Sequence, residues 1–415
     1  MDSYTEQMHF FGNLDPEKLA EKYGTPLFVY NEDILRRQMK RIAGILPNHR
    51  FTANFSIKTN SNLTILRMAN EEGLNADAMS PGEIYALKKA GFPSDRIFFV
   101  PNNVSAEEMQ YAIDEGVILS VDSLSQLETF GKICPGGRLS VRLNPGVGAG
   151  HHEKVVTAGK KTKFGVAAQD IPKVHEIAKK YDLHIVGLNQ HIGSLFMDFQ
   201  PYLDAITNFL HYAEDFEELE FLDFGGGFGT PYHKLEGEAE FNLEPFKVEL
   251  DKVLTEWKER THRDVLFKME PGRYIVAEGG VILGRVHAVK ENFGHHYAGT
   301  DVGMNVLTRP ELYDSWHDVE IYRDGKPVVS GPRGEYSVVG NICESGDIVA
   351  KDREIPVPQE GDIAVILDAG AYGYSMSSNY NNRLRPAEVL ITSKGEDVLI
   401  RRRETFDDLM RTFEF

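Results

Sequence analysis

The chain has 415 residues, more than one ordinary hydrophobic core accommodates, so a large domain with a smaller second domain is expected. The composition, 41% hydrophobic and 26% charged, is typical of a globular enzyme. The formal net charge of −18 argues against a nucleic-acid partner, because phosphate binding requires a concentrated basic surface.

Two cysteines, Cys134 and Cys343, are too few for a disulfide framework or a structural zinc cluster, and no metal is expected. The first residues, MDSYTEQMHFF, lack the basic and apolar regions of a signal peptide. No apolar run reaches the length of a membrane span. These features favour a reducing cytoplasm.

The predicted elements begin with PLFVY, a short apolar strand before the first amphipathic segment. From residue 51 to about residue 273, strand-like runs alternate with segments that carry apolar residues at helical spacing. In SPGE and SAEE, Ser stands three residues before Glu, the spacing of a capping box at a helix start. The eight strand candidates in this region are FTANFSIK, LNADAMS, IFFVP, ILSVDS, LSVRLNP, HIVGLNQHIG, FLDFGGG and VLFKMEPG.

Eight strands, most followed by a helix, predict an α/β fold with a parallel (β/α)₈ barrel of the TIM type. A doubly wound open sheet is the alternative, since periodicity does not distinguish the two. After about residue 275 the chain changes to short β-rich runs divided by Gly, Pro and Asp, which predicts a separate antiparallel β domain. PLFVY is a ninth strand, one more than the barrel needs, and it could instead belong to the β domain.

The chemistry of such a barrel lies at the carboxyl ends of its strands, and phosphate groups are often held after strands seven and eight. Strand seven ends in GGGFG and strand eight in EPGR. A lone glycine run is more often an ordinary turn, but three glycines let backbone N–H groups approach closely, and their place after the seventh strand favours phosphate. Lys58 closes the first strand after an apolar run, where a lysine loses its charge readily and forms a Schiff base with an aldehyde. Together they suggest pyridoxal 5′-phosphate.

Three further strand-end residues suit that cofactor, although each is weak evidence alone. Glu270 offers a carboxylate for a protonated pyridine nitrogen, which keeps the ring an electron sink. His191 could stack on the ring, and Ser194 could bind phosphate. The ordinary interpretations are a buried core histidine and a helix cap.

The motifs FSIKTNSN, HIGS, LDFGGGFG, EPGRYIV, CESGD and DAGAYGYSMSSNYNNRLRPAEVL occur in this order, within a resemblance that runs from about residue 24 to RRRETFDDLM. As a set they resemble the fold-type III pyridoxal-phosphate-dependent decarboxylases, and within them the diaminopimelate decarboxylase family. The resemblance implies a barrel over residues 31–275 and a β domain built from residues 1–30 and 276–415. It also implies a homodimer, with no nucleic-acid or membrane partner.

The resemblance also implies roles for individual residues. Lys58 would carry the cofactor, Asp77 would lie near it, His191 would stack on the ring and Glu270 would bind its nitrogen. The remaining cofactor contacts would come from Ser194, Gly226, Gly227, Gly272, Arg273 and Tyr372. Cys343 and Glu344 would enter the neighbouring subunit's site, with Cys343 catalytic alongside Lys58 and His191.

For the substrate, the resemblance implies meso-2,6-diaminoheptanedioate, which would be converted to L-lysine and CO₂ in the last step of lysine biosynthesis. A distal carboxylate requires arginine, and the chain supplies Arg273 and, from RPELY, Arg309 with Tyr313. Glu344 would take the distal ammonium, and Tyr372 would also contact the substrate. Cys343 is the candidate proton donor, with Lys58 and water as alternatives.

Three other functions stay open at this point. A decarboxylase acting on D-ornithine, D-lysine or a carboxylated polyamine would not need the Arg309 and Tyr313 pair if its substrate lacks a distal carboxylate. An amino-acid racemase would need a base on each face of the ring, and CESGD is not typical of one. A non-catalytic cofactor-binding protein usually lacks the long C-terminal β domain.

Overall fold

The structure of the protein is a computed structural model that describes residues 3–144, 146 and 163–414. The last residue of the predicted strand LSVRLNP, Pro145, lies outside the described residues. The chain forms two compact units, one made of Gln38–Thr230 and Glu240–Ile275, the other of Met1–Arg37, Pro231–Ala239 and Val276–Phe415. None of the described helices combines the length and the apolar character that crossing a bilayer requires.

The chain begins with two helices and one strand that precede the barrel. Asp15 caps the second helix by accepting a hydrogen bond from the Glu17 N–H at 2.8 Å, and Pro16 occupies the first helical position, where no N–H donor is needed. A longer amphipathic helix follows the strand. These elements are α1 (Tyr4–Gln7), α2 (Pro16–Tyr23), β1 (Leu27–Asn31) and α3 (Glu32–Ala43).

A closed ring of eight parallel strands forms the first compact unit, and the predicted barrel is confirmed. Its strands follow the order β2-β3-β4-β5-β6-β8-β9-β10, and β10 pairs with β2. The pairing of β5 with β6 completes the ring, so the open-sheet alternative is wrong. The strands are β2 (Phe51–Ser56), β3 (Asn75–Ala78), β4 (Ile97–Phe99), β5 (Ile118–Val121), β6 (Arg138–Asn144), β8 (His184–Asn189), β9 (Phe221–Asp223) and β10 (Leu266–Met269), with the short β7 (Val166–Ala167) paired to β6 alone.

Helices alternate with these strands, and their starts follow the predicted caps. Ser105 and Glu108 form a full capping box, since each side chain accepts a hydrogen bond from the other residue's backbone N–H. Ser80 accepts from the Glu83 N–H, whereas the Glu83 carboxylate accepts from Met79 instead. The helices are α4 (Leu63–Glu71), α5 (Pro81–Lys89), α6 (Ala106–Asp114), α7 (Leu124–Ile133), α8 (Ile171–Tyr181), α9 (Gln200–Ala213), α10 (Leu243–Thr261) and α11 (Arg273–Val276).

Polar side chains occupy part of the ring's interior. Asn54 on β2 donates to Asp223 on β9 at 3.2 Å, and because these strands are not neighbours, both side chains point into the ring. Lys268 on β10 lies with its ammonium 3.9 Å from the centre of the Phe221 ring, and burial lowers its pKa. The interior is therefore packed rather than open.

A mostly antiparallel sheet forms the second unit, and it confirms the predicted β domain. Its main path is β14-β13-β17-β11-β1-β18-β19, with β12, β15 and β16 attached through β11. Two pairings, β1 with β18 and β12 with β15, are parallel. The elements are β11 (Gly280–Asn292), β12 (His295–Thr300), α12 (Arg309–Tyr313), β13 (Val319–Arg323), β14 (Lys326–Pro327), β15 (Arg333–Val339), β16 (Ile348–Pro356), β17 (Ile363–Ile366), β18 (Ala387–Ile391), β19 (Asp397–Arg401) and α13 (Phe406–Met410).

The N-terminal strand β1 lies inside this sheet, between β11 and β18. All five of its residues are buried, and Leu27 and Val29 pack in one apolar cluster with Val281, Val365 and Val389. A strand buried on both faces reads as a continuous apolar run, which is why PLFVY shows no alternation. The extra strand of the sequence thus completes the β domain.

The segment Pro231–Ala239 belongs to the same compact unit as the sheet, although the predicted boundaries place it in the barrel domain. Buried Lys234 in this segment pairs with Asp368 at 2.6 Å and with Glu278 at 3.3 Å. Removing one member of such a buried pair leaves the other charge without compensation, which typically costs about 3–5 kcal/mol. The ion pairs therefore fix the segment to the sheet.

Candidate active site

Lys58 lies on a short 3₁₀ turn, Ile57–Thr59, that directly follows β2. The Thr59 hydroxyl donates to the Ser56 carbonyl at 2.7 Å, and the Asn60 N–H donates to the Ile57 carbonyl at 3.0 Å. A Cβ at Gly272 would lie 2.5 Å from the Thr59 methyl, so glycine is required where the EPGR turn crosses here. The lysine is therefore held at a strand end by a well-bonded backbone.

Asp77, at the end of the adjacent strand β3, lies close to Lys58. Its Oδ1 accepts a hydrogen bond from the Ser56 hydroxyl at 2.7 Å, and the side chain is buried. Burial and the Glu270 charge raise the pKa of Asp77 well above its ordinary value, whereas the Lys58 charge opposes that rise. The Glu270 carboxyl group and the lysine therefore both influence the ionisation of Asp77.

Glu270 follows β10 and is buried, with 5% of its surface exposed. Burial and the Asp223 charge raise its pKa to about 8, and the charges of Lys58 and Arg142 act in the opposite direction. Its Oε1 atom is buried without a hydrogen-bond partner among the described residues. Such an oxygen is suited to a cationic N–H donor, which is what a protonated pyridine nitrogen supplies. The residue fits the pyridoxal phosphate that the sequence predicts.

His191, which follows β8, accepts a hydrogen bond at Nδ1 from the Gly226 N–H at 3.1 Å. Burial first, and then the charges of Lys58 and Arg142, lower its pKa well below the usual range. The neutral imidazole therefore carries its proton on Nε2. The Gly226 N–H that the sequence predicts for phosphate is used here by this histidine.

The glycines after β9 are also required by packing. A Cβ at Gly226 would lie 1.9 Å from the Glu270 carbonyl oxygen, and one at Gly227 would lie 2.5 Å from the Gly193 carbonyl oxygen. Gly227 also has φ +116°, a conformation that other residues rarely adopt. The glycine run thus lets the ends of three strands approach closely.

Ser194 and Arg273 meet in the barrel unit. The Arg273 Nη2 donates to the Ser194 hydroxyl at 3.1 Å, and Arg273 is buried. A guanidinium and a hydroxyl side by side are donors suited to an anionic oxygen. The structure thus joins two residues that the sequence predicts for phosphate and carboxylate binding.

Arg142 on β6 is a charged residue of the ring to which the sequence analysis assigned no role. It is buried, burial lowers its pKa, and the charges of Glu270 and Asp122 act to raise it. An arginine between the apolar residues Val141 and Leu143 of the strand was the available signal. It places a cation near Glu270, the predicted partner of the cofactor nitrogen.

In the β unit, Arg309 at the start of α12 is almost fully buried, with 1% of its surface exposed. Its Nη1 donates to His317 Nε2 at 2.5 Å, its Nη2 donates to the Ser315 hydroxyl at 3.3 Å, and its guanidinium lies 4.6 Å from the Tyr232 ring centre. Tyr313 ends the same helix. The predicted carboxylate clamp is thus anchored on a short helix with a fixed guanidinium.

Cys343 and Glu344 lie in the loop between β15 and β16, and both of their side chains are exposed. A Cβ at Gly346 in this loop would lie 2.4 Å from Glu311 Oε2, so the loop packs closely on α12. Tyr372 is partly buried and adopts φ +57°, an uncommon conformation for a tyrosine. The substrate residues predicted in the β unit therefore lie on α12, on the loop that packs against it, and on the turn that carries Tyr372. Among the described residues, no group of three or more His, Cys, Asp or Glu side chains is arranged to bind a metal.

A family model described as pyridoxal-dependent decarboxylase, pyridoxal binding domain, matches residues 32–277. The barrel is thus that of a pyridoxal-dependent decarboxylase. The chain is 41% identical to a diaminopimelate decarboxylase of Methanothermobacter thermautotrophicus (96% of this chain, 94% of the relative) and 36% identical to one of Archaeoglobus fulgidus (95% and 94%). A crystal structure of diaminopimelate decarboxylase from Helicobacter pylori complexed with L-lysine superposes with a TM-score of 0.87 and 31% identity, covering 96% of this chain and 98% of the other. The chain belongs to the diaminopimelate decarboxylase family, as the sequence motifs predict.

Proposed function

We propose that the protein removes the carboxyl group from the D-centre of meso-2,6-diaminoheptanedioate and releases L-lysine and CO₂. Its relatives are diaminopimelate decarboxylases, and the Helicobacter pylori neighbour was solved with L-lysine. The observation that carries the proposal is the Glu270 oxygen, buried and without a partner in the described chain, at strand ends that also hold Lys58.

Pyridoxal phosphate, when bound, supplies an electron sink for the pair left behind as CO₂ departs. Lys58 would hold it covalently and Glu270 would keep its ring nitrogen protonated. The neutral His191 would stack on the ring, and Asp77 would tune the charge of Lys58. Its phosphate and remaining contacts would be held by Ser194, Gly227, Gly272, Arg273 and Tyr372, whereas the Gly226 N–H is used by His191.

The substrate's non-reacting end would be recognised by residues of opposite charge. The Arg309 guanidinium would donate to the distal carboxylate, with Tyr313 adding a hydroxyl donor. Glu344 would accept hydrogen bonds from the distal ammonium, and Arg273 and Tyr372 would orient the substrate. Simple diamine precursors such as ornithine have no distal carboxylate, so a decarboxylase that acts on them does not need an arginine in the place of Arg309.

Cys343 would return a proton to the carbon that lost CO₂, with Lys58 or a water molecule as the alternative donors. In the described structure its side chain is exposed. A proton donor needs surroundings that exclude water, and a second copy of the chain would provide them. This supports a homodimer in which Cys343 and Glu344 enter the partner's site.

We also assign the enzyme to the cytoplasm. Both cysteines are free thiols in the structure, and a catalytic thiol needs a reducing compartment. The proposed reaction requires neither a nucleic-acid partner nor a membrane.

The test is steady-state kinetics of the purified protein with meso-2,6-diaminoheptanedioate, D-lysine and D-ornithine, following CO₂ release. We expect the highest kcat/KM with meso-2,6-diaminoheptanedioate. A higher kcat/KM with either of the other two substrates would make the substrate assignment wrong, and racemisation without CO₂ release would make the reaction assignment wrong.

A further inference from the structure

Two consecutive residues, Tyr380 and Asn381, hold the side chains of two consecutive residues of the CESGD loop. The Asn381 Nδ2 donates to the sulfur of Cys343 at 3.2 Å, and the Asn381 Oδ1 accepts from the Cys343 N–H at 3.1 Å. The Tyr380 hydroxyl donates to Glu344 Oε1. All four side chains lie in the β unit, on two segments that are 36 or more residues apart in sequence.

The CESGD loop is itself fixed by its last residue. The buried Asp347 carboxylate accepts from the Ile342 N–H at 2.7 Å and from the Met304 N–H at 2.5 Å. A Cβ at Gly340 would lie 2.4 Å from this carboxylate, so only glycine fits beside it. The loop backbone next to Cys343 is therefore held by Asp347 as well as by the bond from the Cys343 N–H to Asn381.

The segment that carries Tyr380 and Asn381 is anchored on both sides of them. Asn379 Nδ2 donates to Glu404 at 2.6 Å, and Arg383 Nη2 donates to the Asn341 carbonyl at 3.1 Å. Asn381 has φ +55°, a left-handed conformation that asparagine tolerates better than most residues. Asn381 is thus kept in a disfavoured backbone conformation in which its amide binds both the sulfur and the backbone N–H of Cys343.

We propose that Asn381 and Tyr380 are positioning residues, Asn381 for the Cys343 thiol and Tyr380 for the Glu344 carboxylate. This rests on the proposed role of Cys343 as proton donor. Because the sulfur accepts the Asn381 N–H, the S–H bond points away from Asn381. In the transfer, the S–H bond breaks as the new C–H bond forms, and Asn381 stabilises the thiolate left behind until it takes a proton from solvent.

The first test measures the Cys343 thiol directly, in a Cys134→Ser background. Asn381→Gly removes the amide without a backbone penalty, and Asn382→Gly is the matched control, since Asn382 has the same φ of +55°. Asn381→Gly should slow alkylation by iodoacetamide at pH 8 roughly three- to tenfold, because the hydrogen bond that stabilises the thiolate is lost. The control should leave the rate unchanged. An unchanged or faster rate in Asn381→Gly would overturn the proposal.

The second test separates positioning from mere stabilisation of the fold. Decarboxylation in D₂O by the wild-type enzyme should place deuterium on one face of the new CH₂ group, whereas Asn381→Gly should give a mixture of both. Tyr380→Phe should raise KM several-fold with kcat nearly unchanged, and it should not alter alkylation. Full stereospecificity in Asn381→Gly, or a fall in kcat alone in Tyr380→Phe, would contradict the assignment.

These outcomes distinguish this proposal from the proposed function. Alkylation needs no turnover, so an effect of Asn381→Gly in a protein that does not decarboxylate meso-2,6-diaminoheptanedioate would support the positioning and reject the function. If the protein decarboxylates meso-2,6-diaminoheptanedioate but Asn381→Gly changes neither alkylation nor stereochemistry, the function would be supported and the positioning rejected.

Discussion

Arg309 donates a hydrogen bond to Nε2 of His317, while Nδ1 of the same imidazole lies 2.8 Å from the Leu367 carbonyl oxygen. A carbonyl only accepts, so His317 carries its proton on Nδ1 and meets the guanidinium with a lone pair. The histidine is fully buried. The neutral ring thus fixes the guanidinium plane without adding a competing charge.

The first prediction follows from this fixed guanidinium. Arg309→Met leaves the distal carboxylate desolvated without a partner, which typically costs about 2–5 kcal/mol. That corresponds to a loss of about 30- to several-thousand-fold in kcat/KM for meso-2,6-diaminoheptanedioate. D-Lysine, which lacks the distal carboxylate, should be used about as poorly as before, and Arg309→Lys should rescue only partly.

The controls for this variant address its burial. The absorption spectrum of the bound cofactor should be unchanged, since Lys58 is untouched, and thermal unfolding should show a folded protein. Arg333→Met, at an exposed arginine on β15, should leave the kinetics unchanged. Near wild-type activity of Arg309→Met would show that the clamp is misassigned and would favour D-ornithine or D-lysine as substrate.

A second prediction concerns the pH dependence of stability in the cofactor-free protein. Glu270 has a pKa of about 8 when folded, against 4.5 for an ordinary glutamate. Between these pH values the unfolded chain releases the proton and the folded chain keeps it, so stability falls as pH rises from about 4.5 to 8. Glu270→Gln lacks the titrating group and does not lose stability in this way. The Tm of the variant minus the Tm of the wild type should therefore increase as pH rises over the same range.

Thermal unfolding of both proteins between pH 5 and pH 9, after removal of the cofactor, checks this. Exposed Glu259→Gln is the control and should show a constant Tm difference from wild type. With cofactor bound, the wild type should have a higher Tm than Glu270→Gln, because glutamine cannot offer a carboxylate to the ring nitrogen. A Tm difference for Glu270→Gln that does not change with pH would contradict the burial argument.

Much of the barrel could be predicted because strands buried by flanking helices read as short apolar runs. Every one of the eight predicted runs overlaps a strand, and Lys58, Asp77, His191 and Glu270 lie near the carboxyl ends of such strands. Parallel strands place their carboxyl ends on one side of the ring, so strand order sufficed to gather these residues.

Other features depend on contacts that no local pattern encodes. His317 meets Arg309 across a turn rather than at helical spacing, and Asn381 meets Cys343 from a separate segment. Arg142 was missed because a charged residue in a strand usually faces solvent, whereas here it faces the interior. The two parallel pairings of the β sheet likewise depend on how distant strands meet.

The third prediction is that the cofactor is bound at Lys58. Borohydride reduction of the purified protein followed by peptide mapping should place the pyridoxyl group on Lys58. Lys268, the buried lysine on β10, is the most informative alternative, since burial lowers its pKa. A label on Lys268 or any other lysine would refute the assignment.

The fourth prediction is that the active site is shared between subunits. Lys58→Ala and Cys343→Ala should each be inactive or nearly so, and mixing them should restore part of the activity, because some heterodimers would hold one intact site. The measurement is activity after subunit exchange has been confirmed by mass spectrometry of the mixed species. No recovery after exchange would count against a composite site.

The most direct measurement uses meso-2,6-diaminoheptanedioate carrying ¹³C in one carboxyl group, either at the D-centre or at the L-centre. With the D-centre labelled, we predict that all released CO₂ carries ¹³C and that L-lysine forms in equal amount without label. With the L-centre labelled, the CO₂ should be unlabelled and the lysine should keep the ¹³C. Label from the L-centre in CO₂, or no CO₂ release by protein loaded with pyridoxal phosphate, would contradict the proposed function.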